Sequence, residues 1–119
     1  MGNLSEHFNR QEFACRCGCG FDAISSELVT LLEAARAHFN SPVRINCGCR
    51  CASHNADVGG APGSQHLSGT AADIAIAGVA PGLAYRWFDE RYPNALGLGQ
   101  YHTFIHVDVR PQRARWTGK

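Results

Sequence analysis

The chain has 119 residues, of which 45% are apolar, and its formal net charge is +1 at neutral pH. These values exclude an intrinsically disordered protein and give no general electrostatic reason to bind nucleic acid. The length suits one domain covering residues 1–119, and no run reaches the ~20 apolar residues of a membrane span, so we expect no membrane insertion.

Residues 1–24 predict an irregular arm, rich in glycine and cysteine, that packs on the rest of the domain. Six cysteines form two clusters of the same spacing: Cys15, Cys17 and Cys19, then Cys47, Cys49 and Cys51. An even number of cysteines in a short chain favours disulfides. A structural zinc ion held by four of the thiolates and free thiols are the alternatives. In each case we expect the cysteines to link the arm to the loop around residue 50.

The first helix is predicted to begin after Ser25 or Ser26, either of which can cap it. Its apolar residues form one stripe, and the sequence 40–42 (Asn-Ser-Pro) ends it. The stripe consists of Leu28, Leu31, Leu32, Ala35 and Phe39. A short strand is predicted at 43–46, followed by a loop over 47–70 that is long enough to indicate a functional role.

The second half of the chain predicts three more strands and one helix. Residues 71–76 and 104–109 are apolar and β-branched, 96–100 is a weaker strand, and a helix follows Pro81 and ends before Pro93. The basic residues Arg110, Arg113, Arg115 and Lys119 predict a solvated C-terminal edge. Helices and strands do not alternate regularly, so the fold class is α+β, with a small central antiparallel sheet and two main helices.

Two segments carry residues suited to chemistry. The block 64–73 (Ser-Gln-His-Leu-Ser-Gly-Thr-Ala-Ala-Asp) places His66 in a loop and Asp73 in a strand. In the last predicted strand, alternation puts His106 and Asp108 on one face and the apolar residues on the other. The structural alternatives are a turn histidine for His66 and a core histidine with a hydrogen-bond partner for His106. Asp73 lies between apolar neighbours and needs a partner.

Two imidazoles and one carboxylate are the three protein ligands of a catalytic zinc site, which leaves the fourth position open. The pattern Ser64-x-His66-x-x-Gly69-x-Ala71-x-Asp73, followed by His106-x-Asp108, resembles the zinc D-alanyl-D-alanine carboxypeptidase family. Relatives of that family include phage endolysin peptidases, murein endopeptidases and the hedgehog signalling domain. The likeness runs from about residue 13 to residue 116. It implies an α+β fold and one catalytic zinc ion held by His66, Asp73 and His106.

The resemblance also implies substrate-binding residues. Arg50 matches the arginine that receives a terminal carboxylate of the substrate, with a surface role as the alternative, and Ser64 opens the matching block. The family's tyrosine and serine around this arginine are replaced by Cys49 and Cys51. Many relatives carry an acidic residue three positions before the last histidine ligand, where this chain has Thr103.

The general base must therefore lie elsewhere. Asp108 is the first candidate and His102 the second, while orienting His106 is an equal alternative for Asp108.

We expect a zinc metallopeptidase, a carboxypeptidase or endopeptidase, that hydrolyses peptidoglycan stem peptides as a monomer. A non-catalytic zinc-containing binding module and a cysteine-rich structural zinc protein are the alternatives. The N-terminus has no signal-peptide pattern, which predicts synthesis in the cytoplasm and action on the cell wall as a phage or prophage lysis enzyme.

Overall fold

The computed structural model describes residues 2–118. The helices are α1 (Ser26–Phe39), α2 (Ala52–Asp57) and α3 (Pro81–Arg91). The strands are β1 (Val43–Cys47), β2 (Ala71–Ile76), β3 (Gly97–Gln100), β4 (Ile105–Asp108) and β5 (Ala114–Thr117). Short 3₁₀ turns occur at Arg10–Phe13 and Gln65–Ser68.

The five strands form one sheet in the order β1-β2-β4-β3-β5. All neighbouring pairs are antiparallel except β3 and β5, which are parallel. The predicted α+β class with a mostly antiparallel central sheet is confirmed. Strand β5 lies in the segment predicted as a solvated basic edge, and Lys119 lies outside the described residues. Arg113 and Arg115 both pair with Asp89 of α3, so they hold this strand to the domain.

Residues at the helix termini determine where the helices begin and end. Ser25 precedes α1, and its side chain accepts a hydrogen bond from the backbone N–H of Leu28. Asn40 ends α1 in the left-handed conformation, with φ of 50°, which a short polar side chain tolerates. Pro81 occupies the first turn of α3, where its missing N–H leaves no hydrogen bond unmade.

One hydrophobic core lies between the helices and the sheet. The predicted stripe of α1 packs there, with four of its five residues buried and Phe39 at the margin, against the apolar residues of β1, β2 and β4. Phe8 and Phe13 of the N-terminal arm are also fully buried in this core. The arm is therefore part of the folded unit, because aromatic side chains of this size contribute strongly when they leave water.

Four of the cysteines, Cys15, Cys17, Cys19 and Cys51, lie close together. All six are free thiols, so the predicted disulfides are not formed in this structure. The arm still meets the loop around residue 50, since the backbone N–H of Cys49 donates to the carbonyl of Phe13 at 2.8 Å. Gly48 permits that approach, because a Cβ there would lie 2.8 Å from the Phe13 backbone.

Within residues 2–118, no helix is both long and apolar enough to cross a membrane.

Candidate metal centre and substrate cleft

The site is built on one row of residues that runs across the sheet. The register pairs Cys47 of β1 with Asp73 of β2, Asp73 with His106 of β4, His106 with Gly99 of β3, and Gly99 with Trp116 of β5. A bulge in β1 directly before Cys47 shifts the pairing and aligns that residue with the row. Residues far apart in the sequence therefore become neighbours on one face.

His66, Asp73 and His106 converge at the centre of this row. The Oδ1 atom of Asp73 lies 3.3 Å from Nε2 of His66 and 3.1 Å from Nδ1 of His106. His66 reaches the sheet from the 3₁₀ turn Gln65–Ser68, and its ring is nearly perpendicular to that of His106, with centroids 5.1 Å apart. Both histidines are buried.

The outer nitrogen of each imidazole has its own acceptor. Nδ1 of His66 lies 2.6 Å from the carbonyl of Gly48, and Nε2 of His106 lies 2.7 Å from Oδ2 of Asp108. In a neutral imidazole, an N–H donated outward fixes the tautomer and makes the inner nitrogen available as a metal ligand. This donor set, two imidazole lone pairs and a carboxylate, fits zinc.

The electrostatics of the cluster are those of a site suited to a cation. Burial opposes ionisation of Asp73, but hydrogen bonds from His106 and His66 prevail and lower its pKa to about 2. Burial likewise acts to lower the pKa of His66, yet Asp73 and Cys47 raise it to about 9. The carboxylate thus holds positive charge beside it, and binding of a metal ion would release protons from the imidazoles.

Asp108 lies behind His106. Its side chain is fully buried, and five N–H groups donate to it: the backbone N–H of Gly97, the backbone, Nε and Nη2 of Arg110, and Nε2 of His106. Burial opposes its ionisation, but these bonds hold its pKa well below the usual range. Both oxygens are occupied, which favours its predicted role of orienting His106 over that of general base.

His102 and Thr103 are exposed between β3 and β4. His102 is exposed in a bend and lines a neighbouring groove with Gln100, Tyr101, Thr117 and Gly118. It is not among the residues that line the cleft over the histidines. Tyr101 lines both surfaces, so the two openings are adjacent.

A cleft of about 580 Å³ opens over the row. Arg50 lies in it and is largely buried. Its Nη1 donates to Oδ1 of Asn55 at 2.9 Å, and its Nη2 lies 3.4 Å from Sγ of Cys47 and 3.9 Å from Oδ2 of Asp73. Its Nε is buried and has no hydrogen-bond partner among residues 2–118. Ser64 also lines the cleft, and its hydroxyl accepts a hydrogen bond from the backbone N–H of His66.

The sequence did not predict the aromatic side of the cleft. Tyr101 and Phe104 stack with centroids 4.5 Å apart, and Nε1 of Trp116 donates to the hydroxyl of Tyr101 at 2.9 Å. The Trp116 ring lies 5.0 Å from that of His106, and the guanidinium of Arg110 lies 5.4 Å from the Trp116 centroid. The i, i+2 spacing of Asp108 and Arg110 was the available signal for Arg110, which had been assigned to the basic edge.

Comparison with known proteins identifies the family of this chain. The profile of the Peptidase M15 family matches residues 6–108. A protein of Haemophilus influenzae named as a probable peptidoglycan L,D-endopeptidase, MepK, is 41% identical over 86 residues. The match covers 66% of this chain and 45% of that relative, so the chain spans less than half of the relative's length. The family match extends over most of the chain, including the block 64–73 and the His-x-Asp strand. This protein therefore belongs to the Peptidase M15 family.

Proposed function

We propose that the protein is a zinc-dependent peptidase that hydrolyses peptide bonds in peptidoglycan stem peptides. The observation that carries the proposal is the convergence of two imidazole nitrogens on the Asp73 carboxylate, each imidazole being held from behind by an acceptor. His66, Asp73 and His106 would hold the zinc ion. When bound, zinc supplies the Lewis acidity that activates water and polarises a scissile carbonyl.

The chain's own residues would bind and orient the peptide. The Arg50 guanidinium offers donors for a carboxylate of the stem peptide, and its hydrogen bond to Asn55 fixes it at one end of the cleft. Ser64 sets the start of the turn that carries His66 and lines the same cleft. The stacked rings of Tyr101 and Phe104 present an apolar surface opposite these polar groups.

The proton acceptor is a separate part of the proposal. Asp73 is the only acidic residue in the described lining of the cleft, and Asp108 has no free acceptor position. His102 is then the remaining candidate, because it is exposed and lines the adjacent groove together with Tyr101. Replacement of His102 by alanine should lower turnover without changing the zinc content. Unchanged turnover would remove it from the mechanism.

The type of bond is open to a direct test. The name of the Haemophilus influenzae relative supports an endopeptidase, and a carboxypeptidase is the alternative. Purified protein with zinc should release soluble peptide fragments from isolated peptidoglycan, and the products distinguish the two: internal cleavage gives peptides, whereas a carboxypeptidase gives single terminal amino acids. A peptidoglycan substrate places the activity at the cell wall.

The matched variants are His66→Ala and His38→Ala. His66→Ala removes a proposed ligand, so it should abolish release, whereas His38 is an exposed residue of α1 stacked on Trp87 and its replacement should leave release intact. Equal activity of the two variants would contradict the proposal.

The scarcity of carboxylates in the cleft also favours a second candidate, a binding module that holds zinc and peptide without cutting. That candidate predicts zinc-dependent retention of the protein on isolated peptidoglycan with no fragments released.

A further inference from the structure

Four of the six cysteines meet in one cluster away from the histidine site. The thiols of Cys15, Cys17, Cys19 and Cys51 all lie within 4.8 Å of one another. The first three belong to a turn of the N-terminal arm, and Cys51 directly precedes α2, where its sulfur accepts from the backbone N–H of His54. Nothing in the proposed peptidase chemistry uses these four side chains.

We propose that Cys15, Cys17, Cys19 and Cys51 form a second metal site, a closed tetrathiolate site for one structural zinc ion. The proposal goes beyond peptide hydrolysis and does not depend on it. Of the alternatives that the cysteine spacing left open, it selects the one in which four thiolates share a metal.

The distances between the sulfur atoms fit shared coordination of a zinc ion better than they fit a disulfide bond. Sγ of Cys17 lies 3.4 Å from that of Cys15 and 3.7 Å from that of Cys51. A tetrahedron with a Zn–S distance of about 2.3 Å has edges of about 3.8 Å, whereas the sulfurs of a disulfide are about 2.05 Å apart. Four cysteine sulfurs within 4.8 Å of one another are the ligand number and type of a structural zinc site.

The backbone around the cluster supports thiolates. The N–H of Cys51 points at the sulfur of Cys15 at 3.4 Å, and the N–H of His54 points at the sulfur of Cys51 at 3.4 Å. Such N–H donors stabilise negative charge on sulfur, as outer hydrogen bonds do for other metal ligands. Gly18 follows Cys17 with φ of +83°, a conformation that only glycine adopts readily, and it turns the chain so that Cys19 can join the cluster.

The two remaining cysteines have different surroundings. Cys49 is buried in the hydrophobic core. Cys47 lies in the row of the histidine site, with its sulfur 3.9 Å from Nδ1 of His66. Cys49 therefore serves as the internal control for the four clustered thiols.

A metal at this position would link the arm to the substrate cleft. Cys51 follows Arg50, whose backbone N–H donates to the carbonyl of His66 at 3.0 Å. Three ligands on the arm and one beside Arg50 would thus fix the loop that carries the proposed carboxylate-binding residue. Residues 16–20 of the arm are exposed, and small cysteine-rich segments commonly depend on such a link.

The test counts metal ions and identifies their ligands in the full chain, purified under reducing conditions. Elemental analysis should give two zinc ions per wild-type chain, one after Cys51→Ser, and two after the matched Cys49→Ala. His106→Ala should also retain one, which separates failure of this site from failure of the proposed peptidase site.

Cobalt titration of the metal-free wild-type protein keeps the test valid if Cys51→Ser does not fold. One equivalent of Co²⁺ should give the intense thiolate-to-cobalt charge-transfer absorption and the visible bands of a tetrahedral site, and His106→Ala should give them too. Absence of thiolate absorption, a single zinc ion in wild type that survives Cys51→Ser, or disulfides among the four cysteines in the intact mass of the metal-loaded protein would each overturn the proposal.

Discussion

Replacement of Asp108 by asparagine tests whether Asp108 orients His106 as a metal ligand. The substitution keeps the shape of the side chain but exchanges one acceptor oxygen for an NH₂ donor. All five groups that face Asp108 are N–H donors, so the new NH₂ must oppose at least two of them. The consequence depends on which side of the side chain the NH₂ takes.

At the Oδ2 position, the NH₂ would donate to Nε2 of His106 and move the ring proton to Nδ1, the nitrogen that faces Asp73. Zinc affinity should then fall by about 10–100-fold, as for other changes behind a ligand, which corresponds to about 1.4–2.7 kcal/mol. At the Oδ1 position, the N–H groups of Gly97 and Arg110 would lose their acceptor, at a cost of about 1–3 kcal/mol in the free energy of unfolding.

The assay is zinc competition with a chromogenic chelator, together with chemical unfolding of the metal-free protein. Asp89→Asn is the matched control: Asp89 is also paired with arginines, but it is not in the described lining of the cleft, so its variant should bind zinc as wild type does. Wild-type zinc affinity and stability in Asp108→Asn would refute the orienting role. Lost turnover at unchanged zinc affinity would instead identify Asp108 as the general base.

Three further predictions concern the cleft and the C-terminal strand. Arg50→Lys should raise KM at least about tenfold with a smaller change in kcat, because a charge-assisted hydrogen bond is worth about 1.5–3 kcal/mol; steady-state kinetics check it, with exposed Arg44→Lys as control. Gly60→Ala should lower the free energy of unfolding by about 1–3 kcal/mol, since its Cβ would lie 2.6 Å from Nη1 of Arg50, whereas Gly63→Ala meets nothing within 4 Å and should be neutral. The pKa of Asp89 is lowered by hydrogen bonds from its arginine partners, so its stabilisation is complete above its unfolded pKa of about 3.9 and is lost as the pH falls through its lower folded value. The difference in Tm between wild type and Asp89→Asn should therefore shrink on acidification, and a constant difference would contradict this assignment.

Elements with strong local signals were predictable from the sequence. Strand β2 has the predicted bounds, and α1 begins at the predicted serine cap and ends at Asn40. Helix α2 was not predicted, because it has only six residues within a glycine-rich loop and its N-terminal cap is a cysteine, Cys51. Strand β5 was not predicted either: Arg115 donates to the carbonyls of Tyr92, Ala95 and Leu96, contacts that exist only in the folded protein.

The same distinction between local signals and tertiary contacts explains which residues of the site could be predicted from the sequence. His66, Asp73 and His106 were predicted as ligands because the first two share a short block, the third lies in a strongly apolar strand, and all three match the family resemblance; the structure brings them together. Trp116 and Gly99 carry no such signal, since their relation to His106 runs across three strands rather than along the chain. A tryptophan on β5 can lie over the row only because β3 has a glycine there, where a side chain would collide with the indole.

The row also gives a physical reason for the position of the site at this end of the sheet. Asp73 is a largely buried carboxylate in the middle of an apolar strand, and the free energy cost of its burial is offset by its hydrogen bonds with His66 and His106 and by the guanidinium of Arg50, 3.9 Å away. The β1 bulge and the pairing of β2 with β4 bring Cys47 and His106 to its two sides, and the 3₁₀ turn adds His66. A metal ion bound here would replace the protons that the two imidazoles share with Asp73, so removal of any one of the three proposed ligands should weaken metal binding.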